Sequence, residues 1–98
     1  MIKVYCEIIF NNLKKINHRY SVGTSEENTQ EGMKKLALTV KSHMNENFNN
    51  LNFEMKEELC PQVVLEDGSI IKYCIEDYES LSTDSLVSFY QKYLSSLL

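Results

Sequence analysis

The sequence predicts an α+β domain with the element order β-β-α-β-β-β-α, an antiparallel sheet with two helices packed on one face. Three observations predict it. Ile2, Val4, Cys6, Ile8 and Phe10 alternate with Lys3, Tyr5, Glu7 and Ile9, the period of a half-buried strand. Met33, Leu36, Ala37, Val40 and Met44 recur every three or four residues, the period of one helix face. Asp67-Gly68 lies between two β-rich apolar runs, and both residue types accept the positive φ of a two-residue type I′ hairpin.

The first strand covers residues 2–10, and Asn11-Asn12 suits a turn because Asn tolerates left-handed backbone angles. A second strand carries Ile16, His18, Tyr20 and Val22, close enough to pair as an antiparallel hairpin. Gly23 ends that run. Thr24 followed by Glu27 has the form of a capping box, so a helix is expected over about residues 25–47. Glu26, Glu27 and Glu31 would then complement its dipole, with Lys34, Lys35 and Lys41 on the solvent side. Gly32 has two readings. It lets the helix pack closely on the sheet, or the helix proper begins only near Glu31. Asn residues at 45, 47, 49 and 50 end the helix.

Leu51, Phe53 and Met55 alternate with polar neighbours and predict a third strand over residues 51–59. Pro61 forces a turn or a sheet edge. Val63 to Leu65 begins a fourth strand. The Asp67-Gly68 turn would pair Leu65 with Ile70 and Val64 with Ile71, leading into a fifth strand through Ile75. Residues 76–80 read as an acidic loop. Ser82 or Thr83 caps a last helix, with Asp84 in its first turn and Leu86, Val87, Tyr90, Tyr93, Leu94 and Leu97 on its apolar face. The expected core joins Val4, Cys6, Ile8 and Tyr20 to the helix stripe, to Phe53, Val64, Ile71 and Tyr73, and to Leu86, Tyr90 and Leu94.

The 98 residues make a single domain over 1–98, long enough for one core without obligatory disulfides or metals. One proline and three glycines argue against long linkers. The net charge is −4 and the pI about 5.1. Residues 1–50 carry seven basic and five acidic side chains, whereas residues 51–98 carry three basic and nine acidic ones. Nucleic-acid binding needs cations to replace released counterions, so no direct nucleic-acid contact is expected. Residues 25–98 resemble a double-stranded-RNA-binding domain in element order alone. Where such domains carry a basic cluster at the last helix, this chain reads Ser82-Thr83-Asp84-Ser85 after Asp77 and Glu79.

Cys6, Cys60 and Cys74 are an odd set without a C-x-x-C pair, and no charged leader with an apolar run precedes them. No apolar stretch approaches the ~18 residues of a membrane span. The expectation is a cytoplasmic protein with reduced thiols and no membrane contact. The spacing of the three cysteines, His18 and His43 lacks the close pairs of a structural zinc site. The acidic pairs lack a calcium-loop pattern, and three glycines build no phosphate loop. No metal and no cofactor are therefore expected, and Cys60 is the sole thiol in an expected loop.

These readings favour a small acidic, non-catalytic protein-binding module. Its partner would be a protein with a basic surface, occupied by charge complementarity. Anti-CRISPR, anti-restriction and immunity proteins, accessory inhibitors of phage or mobile-element type, share this size and charge. The candidate contact residues are Glu57, Glu58, Glu66, Asp67, Glu76, Asp77, Tyr78 and Glu79. Tyr78 is included because tyrosines are enriched at interface centres. The alternative is a structural protein that self-associates as a homodimer through a sheet edge, near residues 2–10 or 51–59.

Overall fold

β1 (Ile2–Phe10) is the central strand, pairing with β2 (Lys15–Ser25) on one side and β5 (Ile70–Asp77) on the other. The structure, a computed structural model, describes residues 1–10, 15–55, 60–77 and 84–98. All strand pairs are antiparallel, and the sheet runs β2-β1-β5-β4-β3, with β3 (Glu54–Met55) and β4 (Pro61–Val64) completing it. α1 (Gln30–Asn47) and α2 (Asp84–Leu97) pack against each other and against one sheet face. The predicted α+β order is the observed one. The expectation that residues 2–10 offer a free edge is corrected, because β1 is bonded on both sides. β3 does lie at an edge, and is two residues long rather than the predicted 51–59; residues 56–59 lie outside the described residues.

β2 runs past Gly23 to Ser25, so Gly23 does not end it. The ladder pairs Tyr5 with Ser21 and Val4 with Gly23, leaving Val22 as an extra residue in a bulge. α1 crosses closely at this point. A Cβ on Gly23 would sit 3.0 Å from Thr39 Cγ2 and 3.5 Å from Leu36 Cδ1, so the glycine supplies room for the helix.

With Thr24 and Ser25 paired to Lys3 and Ile2, the predicted capping box at Thr24 cannot form. The N-cap is Thr29, whose Oγ1 accepts the Gly32 N–H at 3.0 Å. Both readings of Gly32 hold in part: the helix begins late, and Gly32 is buried in it. A Cβ there would meet the Glu27 carbonyl oxygen at 2.7 Å and Ser25 Oγ at 2.8 Å. At the other end the Phe48 N–H bonds the Met44 carbonyl at 2.8 Å, ending the helix where predicted.

The second hairpin differs from expectation by one residue. Leu65 N–H donates to the Ser69 carbonyl at 2.8 Å, and Gly68 N–H donates to the Leu65 carbonyl at 2.9 Å. Gly68 has φ 89°. This is a three-residue loop closed by a left-handed glycine, not a two-residue turn. The extra loop residue shifts the register, so Val63 pairs with Ile71 and Val64 with Ile70. A one-residue slip exchanges the two faces of a strand. Val64, expected in the core, is therefore 56% exposed on the outer face. β5 also runs to Asp77, through residues 76 and 77 expected in a loop, because β1 starts at Ile2 and keeps pairing it. The expected cap at Ser82 or Thr83 lies outside the described residues.

The core joins Ile2, Val4 and Cys6 of β1, the buried stripe of α1, Ile71 and Tyr73 of β5, and Tyr90 and Leu94 of α2. Ile8, Tyr20 and Leu86 pack against it half-buried. Ile2 and Pro61, not foreseen as core, are fully buried.

Candidate functional site

Pleating places alternate residues of each strand on the helix-free face. β1 contributes Tyr5, Glu7 and Ile9, β2 Arg19, β5 Ile70, Lys72, Cys74 and Glu76, and β4 Gln62 and Val64. These residues divide into a polar cluster and an apolar row.

The polar cluster surrounds Glu7, which is 6% exposed. A buried carboxylate is costly unless paired, and Glu7 is paired from three directions. Arg19 Nε lies 3.0 Å from Oε2, Lys72 Nζ lies 3.8 Å from Oε1, and Cys74 Sγ donates to Oε1 at 3.1 Å. The Arg19 guanidinium lies 4.0 Å from the centroid of the Tyr5 ring and also pairs with Glu76. The cross-strand register produces this cluster: Arg19 and Lys72 flank Glu7 on its two neighbouring strands.

Cys74 also contacts Cys60. That contact, burial and Glu7 together raise the Cys74 thiol far above its ordinary range. The thiol is therefore protonated at neutral pH and is a poor nucleophile as it stands. Cys6, on the other face, is raised by burial. All three cysteines are thiols, none in a disulfide.

The apolar row crosses three strands beside the hairpin loop. Val64 pairs with Ile70, and Ile70 pairs with Ile9. Ile9 and Ile70 are half-buried, and Val64 stands out. Glu66 and Asp67 are exposed in the adjoining loop. Asp67 Oδ1 accepts the Ser69 N–H at 2.8 Å, and this bond holds the Asp67 carboxyl below its usual range.

The four described contact candidates, Glu66, Asp67, Glu76 and Asp77, do not converge on one surface. Glu66 and Asp67 cap the hairpin. Glu76 lies near the far end of β5, about 20 Å along the strand from Ile70, and is engaged by Arg19. Asp77 closes β5 opposite Ile2. Glu57, Glu58, Tyr78 and Glu79 lie outside the described residues. The Glu7–Arg19–Lys72 cluster and the Ile9–Ile70–Val64 row were not singled out from sequence, because they exist only through cross-strand register.

His43 bridges α1 to the sheet. Its Nδ1 lies 2.6 Å from the Tyr73 hydroxyl and its Nε2 lies 3.1 Å from the Tyr20 hydroxyl. In the neutral ring one nitrogen donates and the other accepts. Burial lowers the His43 pKa, with Glu46 acting weakly against it. Tyr20 is pushed up to about 12, mainly by burial. Both imidazole nitrogens are thus occupied by structural partners. His18 is exposed and edge-on to Tyr20.

Among the described residues no group of three or more His, Cys, Asp or Glu side chains is placed to hold a metal ion. Among them, too, no helix is long and apolar enough to cross a membrane. No family model, curated protein or solved structure matches this chain.

Proposed function

We propose that this protein is a non-catalytic binding module that occupies the basic surface of another protein and inhibits or antagonises it. The observation that carries this reading is the juxtaposition at the hairpin end of the sheet. A partly exposed apolar row, Ile9, Ile70 and Val64, adjoins two exposed carboxylates, Glu66 and Asp67. Apolar centres with a charged rim are the usual anatomy of a protein interface. The chain's net charge of −4 and the acidic loop select a Lys- or Arg-rich partner.

The loop is held in shape by the Asp67–Ser69 bond and by Gly68. It therefore presents its carboxylates with little ordering cost on binding. Self-association through a sheet edge is less favoured. Among the described residues β3 is two residues long, and β2 is interrupted by register shifts at two places, the features that blunt an edge against pairing.

The test is capture of the partner from a host lysate by the wild-type chain and by the double variant V64K/E66K. Asp67 is left in place because it holds the loop. The variant should lose at least about tenfold in capture, since it sets like charges against a basic surface. Its stability should change by less than about 1 kcal/mol, because both sites are exposed. A captured partner that is acidic, or retained equally by the variant, overturns the proposal.

A further inference from the structure

A second feature of the open face lies outside that interface. The loop is closed by the hydrogen-bonded pair Leu65/Ser69. Antiparallel ladders alternate hydrogen-bonded and non-hydrogen-bonded pairs. Val64/Ile70 is then non-hydrogen-bonded, Val63/Ile71 hydrogen-bonded and Gln62/Lys72 non-hydrogen-bonded. Continuing the register by two residues sets Cys60 opposite Cys74 at another non-hydrogen-bonded position. Such pairs have Cα atoms about 4.5 Å apart, inside the ~4.4–6.8 Å that a disulfide spans. Directly opposed residues project from one face of a sheet, and the two thiols are in contact.

We propose that Cys60 and Cys74 form a cross-strand dithiol site that closes to a disulfide by exchange with a small disulfide such as oxidised glutathione. The Cys74 thiol hydrogen is engaged by Glu7 Oε1 at 3.1 Å, so exchange starts at Cys60. Cys60 gives up its proton to solvent, its sulfur bonds one sulfur of glutathione disulfide, whose own S–S bond breaks, and one glutathione leaves as a thiolate that takes up a proton from solvent. Cys74 Sγ then attacks Cys60 Sγ and expels the second glutathione. The Cys74 proton passes to Glu7 Oε1, 3.1 Å away, and on to solvent. Two protein thiols are oxidised, and one glutathione disulfide is reduced to two thiols. Cys6 is buried on the opposite face and takes no part.

The test equilibrates the whole chain with glutathione buffers of increasing oxidised fraction, quenches in acid and measures intact mass and linked peptides. The expected product is lighter by two hydrogens, carries no glutathione, links Cys60 to Cys74 and leaves Cys6 as a thiol. C6S should close as the wild type does. C74S should stop as a stable glutathione adduct at Cys60, whereas C60S should stay unmodified at Cys74. Persistent glutathione adducts on the wild type, a covalent dimer, a bridge involving Cys6, or no reaction in strongly oxidising buffer would each overturn the proposal.

Discussion

His43→Phe tests how the central helix is fixed to the sheet. The substitution keeps a planar ring in place and removes both nitrogens. Tyr73 is 1% exposed and would lose its 2.6 Å partner, keeping among the described residues a contact with the weakly bonding Cys6 thiol. A buried hydroxyl left without a good partner costs ~1–3 kcal/mol. Tyr20 is half-buried and can turn to water, which adds about 1 kcal/mol. The loss should therefore be about 2–4 kcal/mol, a large share of the ~5–15 kcal/mol typical of a domain. Urea unfolding should show it as a lower midpoint at constant slope.

The same variant should change the pH dependence. Burial lowers the His43 pKa in the folded chain, while the unfolded chain titrates near the ordinary ~6.5. Between those two values the unfolded state binds more protons, so stability rises with pH. The contribution is fully present above about 6.5 and is lost as pH falls through the lowered folded value. His43→Phe should remove that slope. A loss below about 0.5 kcal/mol, or a slope unchanged in the variant, would show that His43 does not tie the helix to the sheet.

Other substitutions probe separate contacts. Gly32→Ala places a methyl 2.7 Å from the Glu27 carbonyl oxygen; overpacking of ~1–3 kcal/mol should outweigh the ~1 kcal/mol gain in helix propensity, so thermal unfolding should show a net loss and not a gain. Glu7→Ala leaves Arg19 and Lys72 without their shared carboxylate. Because those side chains are 38% and 25% exposed and can rehydrate, the cost should fall below the 3–5 kcal/mol of a broken buried pair, to ~1–3 kcal/mol, read by urea unfolding. Closing Cys60 to Cys74 encloses a loop of about 15 residues and should stabilise the chain by up to ~3 kcal/mol in the chain-entropy description. A lower thermal midpoint in the oxidised form would contradict the register drawn for the pair.

The strand and helix periods made the architecture legible, since alternation in β1 and the three-and-four spacing in α1 follow directly from side-chain geometry. What could not be read locally was register. Asp67-Gly68 fits two hairpin types equally well, and the choice between them decides whether Val63 or Val64 faces the core. By sequence Thr24, with its capping-box Glu27, is a stronger cap than Thr29, which has Gly32 at that place. The first is consumed by pairing with β1, a long-range contact that no local pattern contains. The polar cluster on Glu7 was hidden for the same reason, because its members are distant in sequence. Charge composition pointed to an acidic surface, but the four described contact candidates, Glu66, Asp67, Glu76 and Asp77, are split between the two ends of β5.

The claim that the hairpin end of the open face is the binding surface is tested most directly by site-specific crosslinking. A photoreactive phenylalanine analogue placed at Val64, 56% exposed, is compared with one placed at Leu38, 47% exposed on α1. A crosslink is expected from position 64 into a Lys- or Arg-rich segment of another protein, and none from position 38. Crosslinking from position 38 alone, or from position 64 only into a second copy of this chain, would contradict it.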